Sequence, residues 1–445
     1  MQMRSWSQGV TAKILGVALL SLLMLIPLGQ VQDLVAERQS LERDARTRIG
    51  ERWGEAQIIG GPVLVVPVRY QVQQDKSWVT VERERFLLPE SLHVKGSLST
   101  ETRSYGIYST PIYTAALAFS GQFERKAIAA IAADKGEPVW AKAVLRVPIS
   151  DVGGIRRLSP LKIEAAELAF GPGSVGFAGL ASPEVAWPLD PDALASASFS
   201  FSMDLAGTQT ITFLPLARQT EVELSGNWAD PSYSGAFLPA NHSVAGTVFT
   251  AQWQALDLNR NYGQAGALDA LDAQAVYQSG FGLELFQPVG TYQRNERAGK
   301  YGILFIGLTF VALFLFEAMG RWRVHVVQYL LIGLALSTFY VVLLALSEQI
   351  GFGWAYLLAS AALVIMTGTY AAAAARLRSA GFMLGGMLGL LYSLLYGLLI
   401  SEQYSLLIGS LALLAAIASL MYLTRRIDWH ALGAVADVPT GRMPG

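Results

Sequence analysis

Acid–base, nucleophilic and metal chemistry recruit histidine, cysteine and closely spaced carboxylates, and this sequence is short of them. It holds four histidines, His93, His242, His325 and His430, and no cysteine. No histidine stands at ligand spacing from another or from a carboxylate, so four scattered histidines are a better reading than a zinc site. The missing thiols exclude a disulfide framework, thiolate zinc, an iron–sulfur cluster and a cysteine nucleophile. Gly171–Gly176 (GPGSVG) places Ser174 as in a nucleophile elbow. Pro172, however, takes the first glycine position of G-x-S-x-G, and no strand–turn–helix frames it, so a turn is expected. No Walker A sequence occurs. The expectation is no catalytic residue, no metal ligand and no cofactor.

Three other groupings remain. Glu82, Arg83, Glu84 and Arg85 alternate in sign within a strand pattern, as solvated pairs on an exposed face do. Asn227-Trp228, Asp230-Pro231 and Phe237-Leu238-Pro239 gather aromatics with turn-formers, which suits a folded loop closing the domain better than a recognition loop. Gly381, Gly385, Gly389, Ser393 and Gly397 recur every fourth residue, a small-residue stripe that lets another helix approach closely. An intramolecular neighbour is the first reading for its partner. A homo-oligomer through the Gly381/Gly385/Gly389 face is the alternative.

The elements that must position these residues follow from the distribution of apolar side chains. Of 445 residues, 52% are hydrophobic and 15% charged, against roughly 25% charged in a soluble domain. Mean hydropathy is +0.38. The 33 basic and 34 acidic residues nearly cancel, which removes the basic face a nucleic-acid binder needs. Apolar runs lie at Ile14–Leu28, Tyr301–Phe316, Val326–Leu346, Trp354–Ala375, Gly381–Ile400 and Leu406–Leu423. With their neutral flanks they approach the ~20 residues needed to cross ~30 Å of hydrocarbon, so six spans are expected. After the first run, Pro27-Leu28-Gly29-Gln30-Val31 lacks an A-x-A-like site, which favours an uncleaved anchor over a signal peptide. With the N-terminus inside, the short inner segments Arg321–His325, Arg376–Arg378 and Arg425–Arg426 each carry two arginines. The outer loops Ser347–Gly353 and Ser401–Ser405 carry only Glu348 and Glu402. The positive-inside rule thus puts both termini in the cytoplasm and residues 32–298 in the periplasm.

Residues 32–300 hold 24 basic and 29 acidic positions, about the charge density of a water-soluble domain. Leu34, Leu41, Ala45 and Ile49 mark one face of a helical stalk, with Gly50 and Gly54 as stops. Beyond it Pro62–Val72, Val79–Leu87, Ser91–Thr100, Ser198–Met203, Thr208–Phe213 and Thr220–Leu224 read as strands. Short helices are expected at Ala127–Ala133 and Ala265–Ala275. The expected fold is a six-helix membrane bundle plus a large, mainly β, sandwich-like extracytoplasmic domain. Its divisions are residues 1–31 (cytoplasmic N-terminus and first span), 32–54 (stalk), 55–298 (β domain), 299–425 (five-helix bundle) and 426–445 (cytoplasmic tail).

At this point the chain resembles the CreD-like inner-membrane family, described as cell-envelope-integrity proteins. The matching stretches include Gly61–Pro67 (GPVLVVP), Arg103–Tyr113 (RSYGIYSTPIY), Val147–Ile155 (VPISDVGGI), Asn227–Pro239 (NWADPSYSGAFLP), Leu258–Tyr262 (LNRNY), Pro288–Tyr301 (PVGTYQRNERAGKY), Phe339–Phe352 (FYVVLLALSEQIGF) and Leu423–Trp429 (LTRRIDW). They run collinearly over nearly the whole chain. Gly153, Val326 and Gln349 depart from the arginine, proline and histidine frequent in the family. The resemblance implies an envelope-stress-response protein of the bacterial inner membrane, and it implies no reaction. The leading reading is a non-enzymatic protein whose β domain binds an envelope component or a partner protein, with the bundle as anchor or transmitter. The alternative is a transporter or flippase of a lipid or small amphiphile, with a polar cavity near Thr367–Tyr370. A hydrolase or transferase comes third. Apart from the bilayer and the envelope partner, only a second copy of the chain is expected to bind it.

Overall fold

Pro27 shapes the first span. It has no N–H to give the carbonyl of Leu23, and the helix α1 (Val10–Leu23) gives way at Met24 to α2 (Leu25–Trp53), whose first turn holds Pro27. The computed structural model describes residues 10–425 except 75–76, 132–135, 164–165, 174, 192–196, 286–289, 319–323 and 402–403. The expected cytoplasmic tail, 426–445, and His430 lie outside the described residues. The remaining helices, in chain order, are α3 (Arg125–Ala130), α4 (Ala273–Gln278), α5 (Thr291–Ala318), α6 (Val326–Ile350), α7 (Phe352–Ala375), α8 (Arg378–Ile400) and α9 (Ser405–Thr424). The chain divides into two compact units, Met1–Leu41 with Pro288–Gly445, and Glu42–Gln287.

Among the described residues, six helices are long and apolar enough to cross a membrane, matching the six expected spans. Small residues set how closely they pack. A Cβ on Gly381 would come within 2.5 Å of the Gly368 carbonyl and 2.7 Å of Ala372, so α8 meets α7 backbone to backbone there. Gly333 of α6 is closed off in the same way by Phe310 of α5 and Met24. Along its apolar window α9 buries no residue.

The second unit is mainly β and mostly antiparallel. One six-stranded sheet runs in the order Glu184–Ala186, Val144–Arg146, Val63–Gln74, Ser77–Leu87, Ala265–Ala267, with Glu137–Pro138 also on Val63–Gln74. A nine-stranded sheet has Tyr108–Phe123, Ser91–Tyr105, Gln219–Gly226, Val248–Leu256 and Asn241–Ala245 as successive neighbours toward one edge, and Ala197–Thr208 on the other side of Tyr108–Phe123. A four-stranded sheet joins Gln57–Gly60, Thr210–Leu214, Phe281–Leu285 and Pro231–Gly235.

The first two sheets share one core, as in a sandwich. Leu64, Val66 and Val68 pack with Phe119, Phe201, Val222 and Trp253 in a single buried cluster. Their alternates Val63 and Val65 lie in a second cluster with Phe86, Phe177, Leu214 and Val276. Burial on both faces explains why the run PVLVVPV does not alternate with polar residues. The strand Ala197–Thr208, covered on one face, does alternate at its start.

At the end of α2, Gly54 has φ +139° and a Cβ there would strike the Ala206 carbonyl, so glycine is required and the stalk stops as expected. Gln57 and Asp151 secure this joint. Gln57 Nε2 donates to the Ala206 carbonyl at 3.0 Å, and Asp151 Oδ2 accepts from the Glu55 amide at 3.0 Å. Ala265–Ala275 is not one helix. Ala265–Ala267 pairs with Arg85–Leu87 as an edge strand, and helix begins only at Ala273, where Asp272 caps the amides of Gln274 and Ala275. The strand pairing overrides the helix propensity of the alanines.

Gly381→Leu must overpack the α7–α8 contact. A loss of about 1–3 kcal/mol is expected, read as a lowered melting temperature of the purified protein in detergent, whereas Gly386→Leu, where nothing approaches within 4 Å, leaves it unchanged.

Candidate functional site

The residues singled out in the sequence do not converge. His325 caps α6, accepting from the Val327 amide at 3.3 Å. His242 packs edge-on against Tyr233, with ring centroids 5.3 Å apart. His93 Nδ1 lies 3.0 Å from Glu221 Oε2, across the parallel pairing of Ser91–Tyr105 with Gln219–Gly226. Among the described residues no group of three or more histidines and carboxylates is placed to hold a metal ion. Ser174 lies outside the described residues, and Val175–Phe177, just after it, is a strand of a short hairpin rather than the start of a helix.

The loop Asn227–Pro239 is folded into the domain. Asn227 Oδ1 accepts from the Thr100 amide at 2.7 Å, the Thr100 hydroxyl donates to the Asn227 carbonyl at 2.8 Å, and Pro231–Gly235 pairs with Phe281–Leu285. Thr367 and Thr369 return their hydroxyls to carbonyls of their own helix, Leu363 at 2.6 Å and Ile365 at 2.8 Å. Glu348 accepts from the Tyr292 hydroxyl at 3.0 Å and stands 3.7 Å from Arg38 Nε, joining α2, α5 and α6. Glu402 lies outside the described residues.

The charge run departs from its solvated reading. Glu84 forms a two-pronged pair with Arg146, at 2.8 and 3.0 Å, and Glu184 lies 3.3 Å from Arg146 Nε. The Arg146 side chain is only 9% exposed. Burial alone would lower the Arg146 pKa, but hydrogen bonds and charge attraction from Glu84 and Glu184 outweigh it and raise the value. This is a structural ion triad on the six-stranded sheet. Arg146, five residues beyond Ala141 in an unremarkable stretch, carried no local signal in the sequence.

One face of the nine-stranded sheet gathers polar side chains in rows. Lys95, Glu223, Gln252 and Asn241 stand side by side in register across four strands of the nine-stranded sheet, and Ser97, Ser225, Thr250 and Ser243 form the next row. Alternation turns both rows away from the core residues Leu224, Ala251 and Trp253. Lys95 and Glu223 are paired at 3.3 Å, Asn241 donates to Gln252 at 3.4 Å, and the Ser243 and Thr250 hydroxyls are 2.8 Å apart. A groove of about 620 Å³ runs over these rows. It offers balanced charge, amides and hydroxyls without an activated nucleophile, so it can hydrogen-bond a neutral polar ligand. The alternating pattern marks the outward positions of each strand, but the pairing of Gln219–Gly226 with both Ser91–Tyr105 and Val248–Leu256 is non-local and was not readable.

Six apolar helices and a large sheet-rich unit define a multi-spanning membrane protein with a substantial extramembrane domain. The family model described as "Inner membrane protein CreD" matches residues 9–430. Inner membrane protein CreD of Escherichia coli (strain K12) is 33% identical over 416 residues, covering 92% of this chain and 91% of its own. The chain belongs to the CreD family of inner-membrane proteins. Among solved structures, yeast LTA4 hydrolase in complex with Bestatin aligns with a TM-score of 0.23 at 9% identity, over 81% of this chain and 69% of its own. At that score no common fold is shown.

Glu84→Gln removes the charge from the main partner of a buried guanidinium. It should cost about 1.5–3 kcal/mol, measured by chemical denaturation, while Arg146→Met, which leaves two carboxylates free to turn to water, costs less.

Proposed function

We propose that this protein is a non-enzymatic cell-envelope-integrity protein of the inner membrane, whose β domain faces the periplasm and binds a hydroxyl- and amide-bearing envelope component. The observation that carries the proposal is the groove over Lys95, Glu223, Gln252 and Asn241, a hydrogen-bonding surface mounted on a rigid sheet. Its chemistry suits a neutral, polyhydroxylated polymer such as an amino-sugar glycan, because amides and hydroxyls match such groups one for one. The membrane helices anchor it. The periplasmic placement is supported by the arginine pairs on the short segments that share a side with the N-terminus. The non-enzymatic reading is supported by the separation of His93, His242 and His325: of the three, His242 alone lines the groove, and its ring packs against Tyr233.

Two outcomes test this. The native chain lacks cysteine, so a single Ser243→Cys reports sidedness: in spheroplasts an impermeant maleimide should label it, and should leave Arg376→Cys unlabelled. The double substitution Asn241→Ala, Gln252→Ala touches an exposed position on the edge strand and a half-buried one on its neighbour. It should leave expression and melting within ±0.5 kcal/mol of native, yet remove the protection that the native chain gives cells under envelope stress. Full protection by the double variant would sink the proposal.

A further inference from the structure

Between α7 and α8 lies a second groove, of about 650 Å³, lined by Trp354, Leu357, Ala361 and Val364 of α7 and by Gly389 and Tyr396 of α8, among others. Gly389 opens it. A Cβ there would meet nothing within 4 Å, whereas Gly381 and Gly385, earlier in the same stripe, are occupied by Gly368, Ala372 and Val364 of α7. Two hydroxyls in the groove are spent on their own helices, Ser360 on Leu357 and Ser393 on Gly389. Tyr356, also in the lining, donates its hydroxyl to the Tyr392 carbonyl at 2.6 Å, so the walls are mainly apolar. From Gly353 to Val364 the α7 wall is ~16 Å long at 1.5 Å per residue, about half of a ~30 Å hydrocarbon core. That is the depth of one leaflet.

The mouth at the Gly353 end differs in chemistry. A Cβ on Gly353 would lie 3.5 Å from the Tyr396 hydroxyl, which places that hydroxyl at the mouth. Arg294 of α5 reaches the same end of α7: its Cζ is 5.8 Å from the ring of Phe352, the residue before Gly353, and that ring is 5.9 Å from the ring of the groove residue Tyr356. Arg294 Nε is buried without a hydrogen-bond partner, and among the described residues its guanidinium makes no ion pair. A mainly apolar slot one leaflet deep thus ends at a phenol donor, with a cation that has no ion-pair partner among the described residues beside Phe352. Charge complementarity selects an anionic headgroup over a zwitterionic one.

We propose that the α7–α8 groove is a binding site for one anionic phospholipid, with an acyl chain against Gly389 and the headgroup phosphate on Arg294 and Tyr396. The bound lipid is a resident component rather than a transported substrate: it fills a slot that neighbouring helices leave open.

Native mass spectrometry of the full-length protein in detergent micelles tests the site, with phosphatidylglycerol and phosphatidylcholine of identical chains titrated in turn. The native protein should retain one phosphatidylglycerol, preferred over phosphatidylcholine by about tenfold, the scale of one charge-assisted contact. Gly389→Leu fills the slot and should abolish retention, while Gly386→Leu, which adds the same bulk on α8 outside the lining, retains it. Arg294→Gln should equalise the two lipids without removing either, and it carries the test independently if Gly389→Leu lowers the melting temperature. Equal retention of both lipids by the native protein, undiminished phosphatidylglycerol on Gly389→Leu, or its displacement by inorganic phosphate alone would each overturn the proposal.

Discussion

The sheet-rich unit depends on burying the strand Val63–Gln74 on both of its faces. Leu64, Val66 and Val68 face one apolar cluster and Val63 and Val65 the other. A strand buried twice needs cover on each side. The nine-stranded sheet supplies one cover, and the hairpin Val175–Ala181, α4 and Leu214 supply the other. With the first half of Val63–Gln74 enclosed, the nine-stranded sheet turns its other face outward. Its outward positions are therefore serine, threonine, glutamine, glutamate and lysine, and these compose the groove. The surface proposed to bind is a consequence of what the core had to hide.

A different constraint governs the other unit. In hydrocarbon every backbone polar group must be satisfied within the segment, so the chain there is helical, and helix spacing is the variable left to sequence. The stripe on α8 shows that one pattern can do two jobs. Gly381 and Gly385 bring α7 into backbone contact, while Gly389, further along, is left with open space. Ser360, Thr367 and Ser393 bond back to carbonyls of their own helices, and Tyr356 donates to the Tyr392 carbonyl of α8, which leaves the lining mainly apolar. The groove accordingly runs along α7 from Gly353 to Val364.

Much of this architecture was legible because it is local. Six apolar runs mark six membrane-length helices, the positive φ of Gly54 matches its expected role as a helix stop, and period-two runs mark the strands. The Gln219–Gly226 strand covers the expected Thr220–Leu224, and Ala197–Thr208 covers Ser198–Met203. What was not legible is non-local. Nothing near Arg146 announces that Glu84 and Glu184, 62 and 38 residues away, will close on it. Nothing near Asn241 shows that Gln252, Glu223 and Lys95 will align beside it. Ala265–Ala275 misled for the same reason, since an edge pairing with Arg85–Leu87 outweighs what alanine prefers by itself. Tyr113 completes the pattern. Its hydroxyl donates to the Thr210 carbonyl at 2.7 Å, and burial raises the phenol pKa well above its ordinary value. It serves there as a structural hydrogen-bond donor, not as an acid.

The functional account rests on one claim, that the outward face of the nine-stranded sheet is occupied by an envelope component in the living cell. In-cell photo-crosslinking addresses it directly. A photoreactive phenylalanine analogue placed at Ser243, within the groove, should capture a glycan-containing adduct sensitive to glycan-digesting enzymes. The same analogue at Trp78, exposed on the other sheet, should capture none. Identical adducts from both positions, or none from Ser243, would contradict it.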